Sequence, residues 1–151
     1  MKKIAIFLAL IFFTQYAFSQ RGEFKGDSIY KLIATAPDSM KPGYLNAIAR
    51  NIITDYPDSS FNLVNRALKF ATKLGREKSI AKSNFLLGYY YSNKGKHDLS
   101  IHCYELAIAI YEKFKMKDDI CNIYNSLGNT FMQIGNAELG NEYYKKCFDK
   151  A

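Results

Sequence analysis

The chain has 151 residues, the size of one ordinary domain, and 48% of them are hydrophobic. Its formal net charge at pH 7 is +7, but no block of five or six like charges occurs. The lysines and arginines recur at helical spacing, which favours solvated helix ends over a nucleic-acid or membrane-surface patch. Three cysteines cannot all pair within one chain, which argues against a disulfide-dense scaffold. They lie in apolar patterns and are expected to be buried free thiols: Cys103, Cys121 and Cys147.

Residues 1–19 have the order of a secretory signal peptide. Lys2-Lys3 precedes an unbroken apolar run over 4–13, and Ala17-Phe18-Ser19 then offers small residues at a cleavage site. The alternative is a retained membrane anchor, but the apolar stretch ends at Phe18 and a spanning helix needs roughly 20 apolar residues. We therefore expect export, cleavage, and a periplasmic or otherwise extracytoplasmic protein that makes no further membrane contact.

Residues 20–40 are predicted to be a leader with a short helix. Asp27-Ser28 is a helix-capping pair, and the helix that it starts extends to Thr35 and is broken by Pro37. Residues 21–25 show no pattern.

Helices in pairs are predicted from this point on. The first is expected from Tyr44 to Asp55. Residues 56–59 are predicted to be the turn, with Pro57 at a helix entry, and the second helix is expected from Ser60 to Leu74, where Gly75 ends it. Four more are indicated by apolar spacing and by glycine stops: Ile80–Asn93, Leu99 to about Lys115, Ile120–Ile134 and Ala137–Phe148.

A period of forty residues relates these pairs. Residues at that offset match in size and type: Leu87 and Leu127, Gly88 and Gly128, Tyr91 and Phe131, Tyr104 and Tyr144, Ala107 and Cys147. One offset accounts for every match, so the chain is predicted to be an all-α array of repeats. Their expected bounds within a domain over 41–151 are about 41–76, 77–116 and 117–151.

The repeat resembles the tetratricopeptide family through Leu87-Gly88, Tyr91, Ser100, Tyr104 and Ala107. This resemblance implies a right-handed α-solenoid of antiparallel helix pairs. The period of forty residues is longer than the 34 residues usual in that family. In its length the repeat is similar to long-repeat variants in bacterial envelope sensors, and we expect the extra residues to lie in the second helices. The first unit departs from the pattern, with Ile48 for the glycine and Asn51 for the aromatic residue, and is interpreted as a degenerate or capping repeat. Gly88 and Gly128 are expected at close helix contacts, with Tyr91 filling the space beside Gly88.

Catalysis finds no support in the pattern. His97 and His102 are the two histidines, and their spacing of five residues is not the i, i+4 spacing of a metal pair. The sequence has no nucleophile elbow, phosphate-binding glycine loop or dinucleotide fingerprint. We expect no enzyme activity, no metal and no cofactor.

The resemblance also implies a concave groove lined by the first helix of each pair, which binds a protein or peptide. Amide side chains can pair with a peptide backbone through both donor and acceptor, although an ordinary wet helix face explains them equally well. The paired cations of the carboxylate-clamp members are not matched, since Lys82 stands alone. The predicted groove residues are Lys82, Phe85, Tyr89, Asn122, Asn125, Asn129 and Gln133.

Function is therefore expected to be non-catalytic protein binding in the cell envelope, without nucleic acid. Export followed by long repeats is similar to the sensory N-terminal part of histidine kinases or of membrane-bound regulators. The alternative is a free-standing envelope scaffold or assembly protein. The last helix lacks a polar capping helix after it, so it is a candidate surface for self-association.

Overall fold

The structure, a computed structural model, describes Lys31 and residues 33–150, apart from the side chain of Lys150. The predicted signal peptide, residues 1–19, and most of the predicted leader lie outside the described residues. Within the described part, no helix is both long enough and apolar enough to cross a membrane.

Six α-helices follow one another between residues 41 and 150, separated by turns of three or fewer residues except for the four-residue turn after the first. They form three successive pairs: α1 (Lys41–Ile52) with α2 (Pro57–Lys73), α3 (Glu77–Asn93) with α4 (His97–Lys113), and α5 (Lys117–Ile134) with α6 (Ala137–Lys150). Each helix packs against the next along the chain. Because the turns are short, neighbouring helices are antiparallel. A short helical segment at residues 33–35 precedes α1 and inserts Ile33 into the core.

Helices α2 to α5 are each followed by a residue in the left-handed conformation, and these residues are twenty positions apart. Gly75, Gly95 and Gly135 have φ angles of 61°, 70° and 88°, which glycine adopts without a Cβ clash. After Gly95, the Lys96 amide donates to the Tyr91 carbonyl at 2.9 Å, which satisfies a carbonyl at the end of α3. Lys115 ends α4 in the same left-handed conformation, with a φ of 55°.

The predicted bounds of several helices are wrong. Helix α1 covers Lys41–Ile52, whereas the sequence placed it at Tyr44–Asp55, and Pro42 lies in its first turn, where its missing amide hydrogen is not needed. Helices α3 and α5 each begin three residues before their predicted starts. The extra length also does not lie in the second helices alone, since α3 and α4 have 17 residues each.

The arrangement of first and second helices makes the domain curved. The backbones of successive first helices approach closely, α1 to α3 and α3 to α5, whereas in the described residues no Cα atoms of the second helices α2, α4 and α6 come within 8 Å of one another. The first helices therefore form the inner, concave layer and the second helices the outer, convex layer. The prediction of an all-α solenoid of antiparallel helix pairs is confirmed.

In the second and third pairs, the two helices approach closely at Gly88 and Gly128. A Cβ built on Gly88 would lie 2.5 Å from Cε1 of Tyr104, and one built on Gly128 would lie 2.6 Å from Cδ1 of Tyr144. Ser100 Oγ also donates to the Gly88 carbonyl at 2.8 Å. The prediction of close contacts at both glycines is thus confirmed, but the ring that fills the space belongs to Tyr104 of α4 and not to Tyr91.

The cysteine prediction is wrong for two of the three residues. Cys121 in α5 and Cys147 in α6 form a disulfide, with their Cα atoms 4.5 Å apart. Forty residues earlier the equivalent positions hold Ala81 and Ala107, both fully buried, so the cysteines stand where paired helices approach closely. Only Cys103 is a buried free thiol, and burial raises the pKa of this thiol, which disfavours the reactive thiolate form.

Replacing Gly88 with alanine should lower the free energy of unfolding by roughly 1–3 kcal/mol, because the new Cβ overpacks the buried Tyr104 ring. Gly128→Leu should be destabilising for the same reason. Gly43→Ala is the matched control, since a Cβ there meets nothing within 4 Å and should stabilise α1 by up to about 1 kcal/mol. Urea unfolding measures all three, and equal effects at Gly43 and Gly88 would contradict this packing.

The double variant Cys121→Ala, Cys147→Ala should unfold more easily by about 3 kcal/mol, because the disulfide closes a loop across a separation of 26 residues. The variant rebuilds the alanine pair of the preceding repeat, so it should still fold. A reductant should lower the melting temperature of the wild type and leave that of the variant unchanged. A wild-type melting temperature that is the same with and without the reductant would contradict the disulfide.

Candidate functional site

The concave layer is held together by polar contacts between successive first helices. Between α1 and α3, the Asn46 amide donates to the Ser79 carbonyl at 3.1 Å, and Ser83 Oγ donates to Asn46 Oδ1 at 3.0 Å. Asn46 and Ser83 are buried, and a buried polar group without a partner costs about 1–3 kcal/mol. These hydrogen bonds therefore fix how α1 lies against α3.

A second set of hydroxyl groups connects α3 with α5. Ser92 Oγ lies 3.0 Å from Thr130 Oγ1 and donates to Gln133 Oε1 at 3.2 Å. Thr130 in turn donates to the Ser126 carbonyl one turn earlier. The hydrogen bond from Ser92 also orients the Gln133 amide at the rim of the groove.

A cavity of 470 Å³ opens on the concave face at this joint. No charged side chain is among the residues that line it: Tyr89, Ser92, Asn93, Tyr104, Ser126, Asn129, Met132 and Gln133. The Tyr144 hydroxyl donates a hydrogen bond to Asn129 Oδ1 at 2.7 Å. The amide nitrogen of Asn129 can therefore donate to a different group. The cavity thus combines apolar surface from Tyr89 and Met132 with hydroxyl and amide groups.

Three of the predicted groove residues meet in this cavity: Tyr89, Asn129 and Gln133. Phe85 is half-buried, its ring 6.1 Å from that of Tyr104. Asn122 and Asn125 are exposed on α5 but do not line this cavity.

Lys82 lines a second cavity, of 330 Å³, between α1 and α3. Arg50 and Lys78 line it too, so the statement that Lys82 stands alone is wrong. Burial lowers the pKa of Lys82, with Asp119 partly compensating from 3.8 Å and Arg50 lowering it further. Arg50 went unnoticed because it lies on α1, 32 positions earlier, and only the packing of α1 on α3 brings the two cations together.

Ser92, Asn93, Ser126 and Met132 were also missed by the sequence reasoning. Each lies three or four positions from a predicted groove residue, so helical neighbours of Tyr89 and Asn129 were the available signal. Tyr90 of α3 packs against the convex helix α2. Its ring stacks on Phe61 at 4.5 Å, and its hydroxyl donates to Asp58 at 3.0 Å.

In the part of the chain that the structure describes, no group of three or more His, Cys, Asp or Glu residues could hold a metal ion. His97 lies at the start of α4 and His102 is exposed one turn later.

Two segments, residues 81–114 and 122–149, match the family model described as tetratricopeptide repeat. These segments are tetratricopeptide repeats. They contain most of α3 to α6, whereas the α1–α2 pair with its divergent Ile48 and Asn51 lies outside them. No curated protein matches this chain.

The fold is similar to that of the TPR domain of Arabidopsis FLU, seen in a crystal structure. The TM-score is 0.67, and the alignment covers 76% of this chain and 97% of that domain at 16% identity. At that identity the likeness shows the tetratricopeptide fold alone.

Proposed function

We propose that this chain is an exported, non-catalytic interaction module whose concave face binds an extended segment of a partner protein. Tetratricopeptide repeats are protein-interaction modules, which gives the general class. The observation that carries the proposal is the uncharged cavity between α3 and α5, where hydroxyls and amides surround Tyr89. Such groups pair with the peptide backbone, and the aromatic face takes an apolar side chain.

Export is supported by two independent features. Residues 1–19 have the composition of a signal peptide, and the Cys121–Cys147 disulfide is of the kind that persists in oxidising compartments. The proposed division is a signal peptide at 1–19, a leader at 20–40 and the repeat domain from 41. Mass spectrometry of the protein from its native cell should find an N-terminus at Gln20, and an intact Met1 would contradict export.

We further propose a sensory role, which these features support. An envelope-exposed groove that binds a segment of another protein can report the presence of that protein to an effector. We therefore place the chain as the sensory part of a signalling protein, such as a histidine kinase or a membrane-bound regulator. Translating the gene past Ala151 tests this directly: a membrane span followed by an effector domain supports it, and a stop codon favours the free-standing scaffold.

The groove is tested by Tyr89→Ala combined with Asn129→Ala. Partner capture from an envelope extract should fall at least tenfold, because the partner loses an apolar contact and is left with an unpaired backbone group. Circular dichroism must first show that the variant is folded. Asn62→Ala is the matched control, since Asn62 is an exposed asparagine on the convex helix α2, and capture should stay within about twofold.

A second control lies on the convex layer. His102, Glu105 and Leu106 are exposed on α4, so their replacement by alanine should leave capture unchanged. If this variant loses the partners while the Tyr89 and Asn129 variant keeps them, the convex face is the functional surface and the proposal is wrong.

A further inference from the structure

One edge of the solenoid carries cations and apolar side chains that the groove does not use. It is formed by the α2–α3 turn at 73–78, the α4–α5 turn at 113–119 and the start of α1, and we call it the basic edge. The two turns touch, because Lys113 Nζ lies 2.7 Å from Glu77 and Lys78 Nζ lies 4.9 Å from the centroid of the Phe114 ring. Residues that are 36 positions apart in sequence thus form one continuous surface.

Charge distinguishes this edge from the opposite one. The two turns of the basic edge contain six lysines and arginines against three carboxylates. Two of these carboxylates face lysines, Glu77 toward Lys113 and Asp119 toward Lys82. The opposite edge, made by the turns at 53–58, 94–98 and 134–138, has two lysines against four carboxylates. The charge is therefore polarised between the two ends of the helices.

Apolar side chains are exposed among these cations. Leu74 and Phe114, at the tips of the two turns, are each 37% exposed, and Met40 and Tyr44 at the start of α1 are 53% and 45% exposed. Met40, Tyr44 and Phe114 line a hollow of 630 Å³, together with the charged side chains of Arg76, Glu77 and Lys78. Apolar groups ringed by cations are typical of surfaces that bind at a lipid interface.

Lys115 has an unusual backbone conformation for a residue other than glycine. It occupies the left-handed position at the tip of its turn, with a φ of 55°, where the equivalent turns have glycine at 75, 95 and 135. A lysine in this conformation is costlier than glycine, and strained residues of this kind mark functional positions. At this tip a cation replaces the favoured residue, on the edge that is already basic.

In place of the sequence-based expectation of no further membrane contact, we propose that the basic edge docks on an anionic phospholipid surface. Arg76, Lys115 and Lys117 bind the lipid phosphates, while Leu74 and Phe114 enter the headgroup region. A lipid surface fits better than a nucleic acid because each of the two turns exposes an apolar side chain, Leu74 or Phe114, beside its cations. It fits better than an acidic peptide because Arg76, Lys115 and Lys117 lie along a row of turns, and of these three only Arg76 lines the hollow.

This docking leaves the proposed groove accessible. Tyr89 lies twelve residues along α3 from Glu77, which places it about 18 Å from the basic edge. The cavity between α3 and α5 therefore lies at a distance from the docked edge and remains accessible to a partner protein. The docking does not depend on the groove, so either proposal can fail alone.

The test compares two matched pairs of substitutions in the full chain. Lys115→Gln with Lys117→Gln removes two cations from the basic edge, and Lys94→Gln with Lys96→Gln removes two from the opposite edge. Binding is measured by co-sedimentation with phosphatidylglycerol–phosphatidylcholine vesicles and with phosphatidylcholine vesicles alone. All proteins share one N-terminus, so residues 1–19 contribute equally to each measurement.

The wild type should bind the anionic vesicles more tightly than the neutral ones, and added salt should weaken this binding. The variant with Lys115→Gln and Lys117→Gln should bind the anionic vesicles roughly thirtyfold more weakly than the wild type, since each cation at the surface contributes about fivefold to the affinity. The Lys94 and Lys96 pair should lose less than about threefold. Equal losses for the two pairs, or wild-type binding that ignores the lipid charge, would overturn the proposal.

Lys115→Gly separates docking from stability. Glycine relieves the left-handed backbone, so the melting temperature should rise, while vesicle affinity should fall about fivefold with the lost cation. A variant that is more stable and binds anionic vesicles as tightly as the wild type would show that Lys115 has no part in docking.

Discussion

The contact between each repeat glycine and the tyrosine of its paired helix determines how closely the two helices of a repeat approach. Tyr104 lies against the backbone of Gly88 with no room for a Cβ, and Ser100 donates to the Gly88 carbonyl on the same side. Burial also raises the pKa of Tyr104 to about 12, so the ring stays neutral in this contact. Because the contact recurs at Gly128 and Tyr144, the second and third pairs are built alike and stack as similar units.

Curvature and the candidate groove follow from that stacking. The first helices meet through buried hydroxyls and amides, Asn46 with Ser83 and Ser92 with Thr130, while the second helices stay apart. The concave layer consequently presents the polar faces of α3 and α5 side by side. It is there, and not within one helix, that Tyr89, Asn129 and Gln133 come together.

Much of this fold could be predicted because the signals are local or periodic. Glycine stops and apolar spacing located the helices, and a forty-residue offset identified the repeat glycines. What failed depends on contacts across the chain. Cys121 and Cys147 looked like small core residues until α5 and α6 packed together, and Lys82 looked isolated until α1 brought Arg50 beside it. The start of α1 was misplaced for a local reason, since Pro42 is as compatible with a first helical turn as with a boundary.

The account places the partner on the concave layer, and site-specific photocrosslinking in the native cell tests this most directly. A photoreactive amino acid replaces Asn129 in one protein and Glu105, on the convex side of α4, in another. Crosslinks to a protein partner are expected from position 129 and not from position 105. Crosslinks from position 105 with none from position 129 would contradict the account.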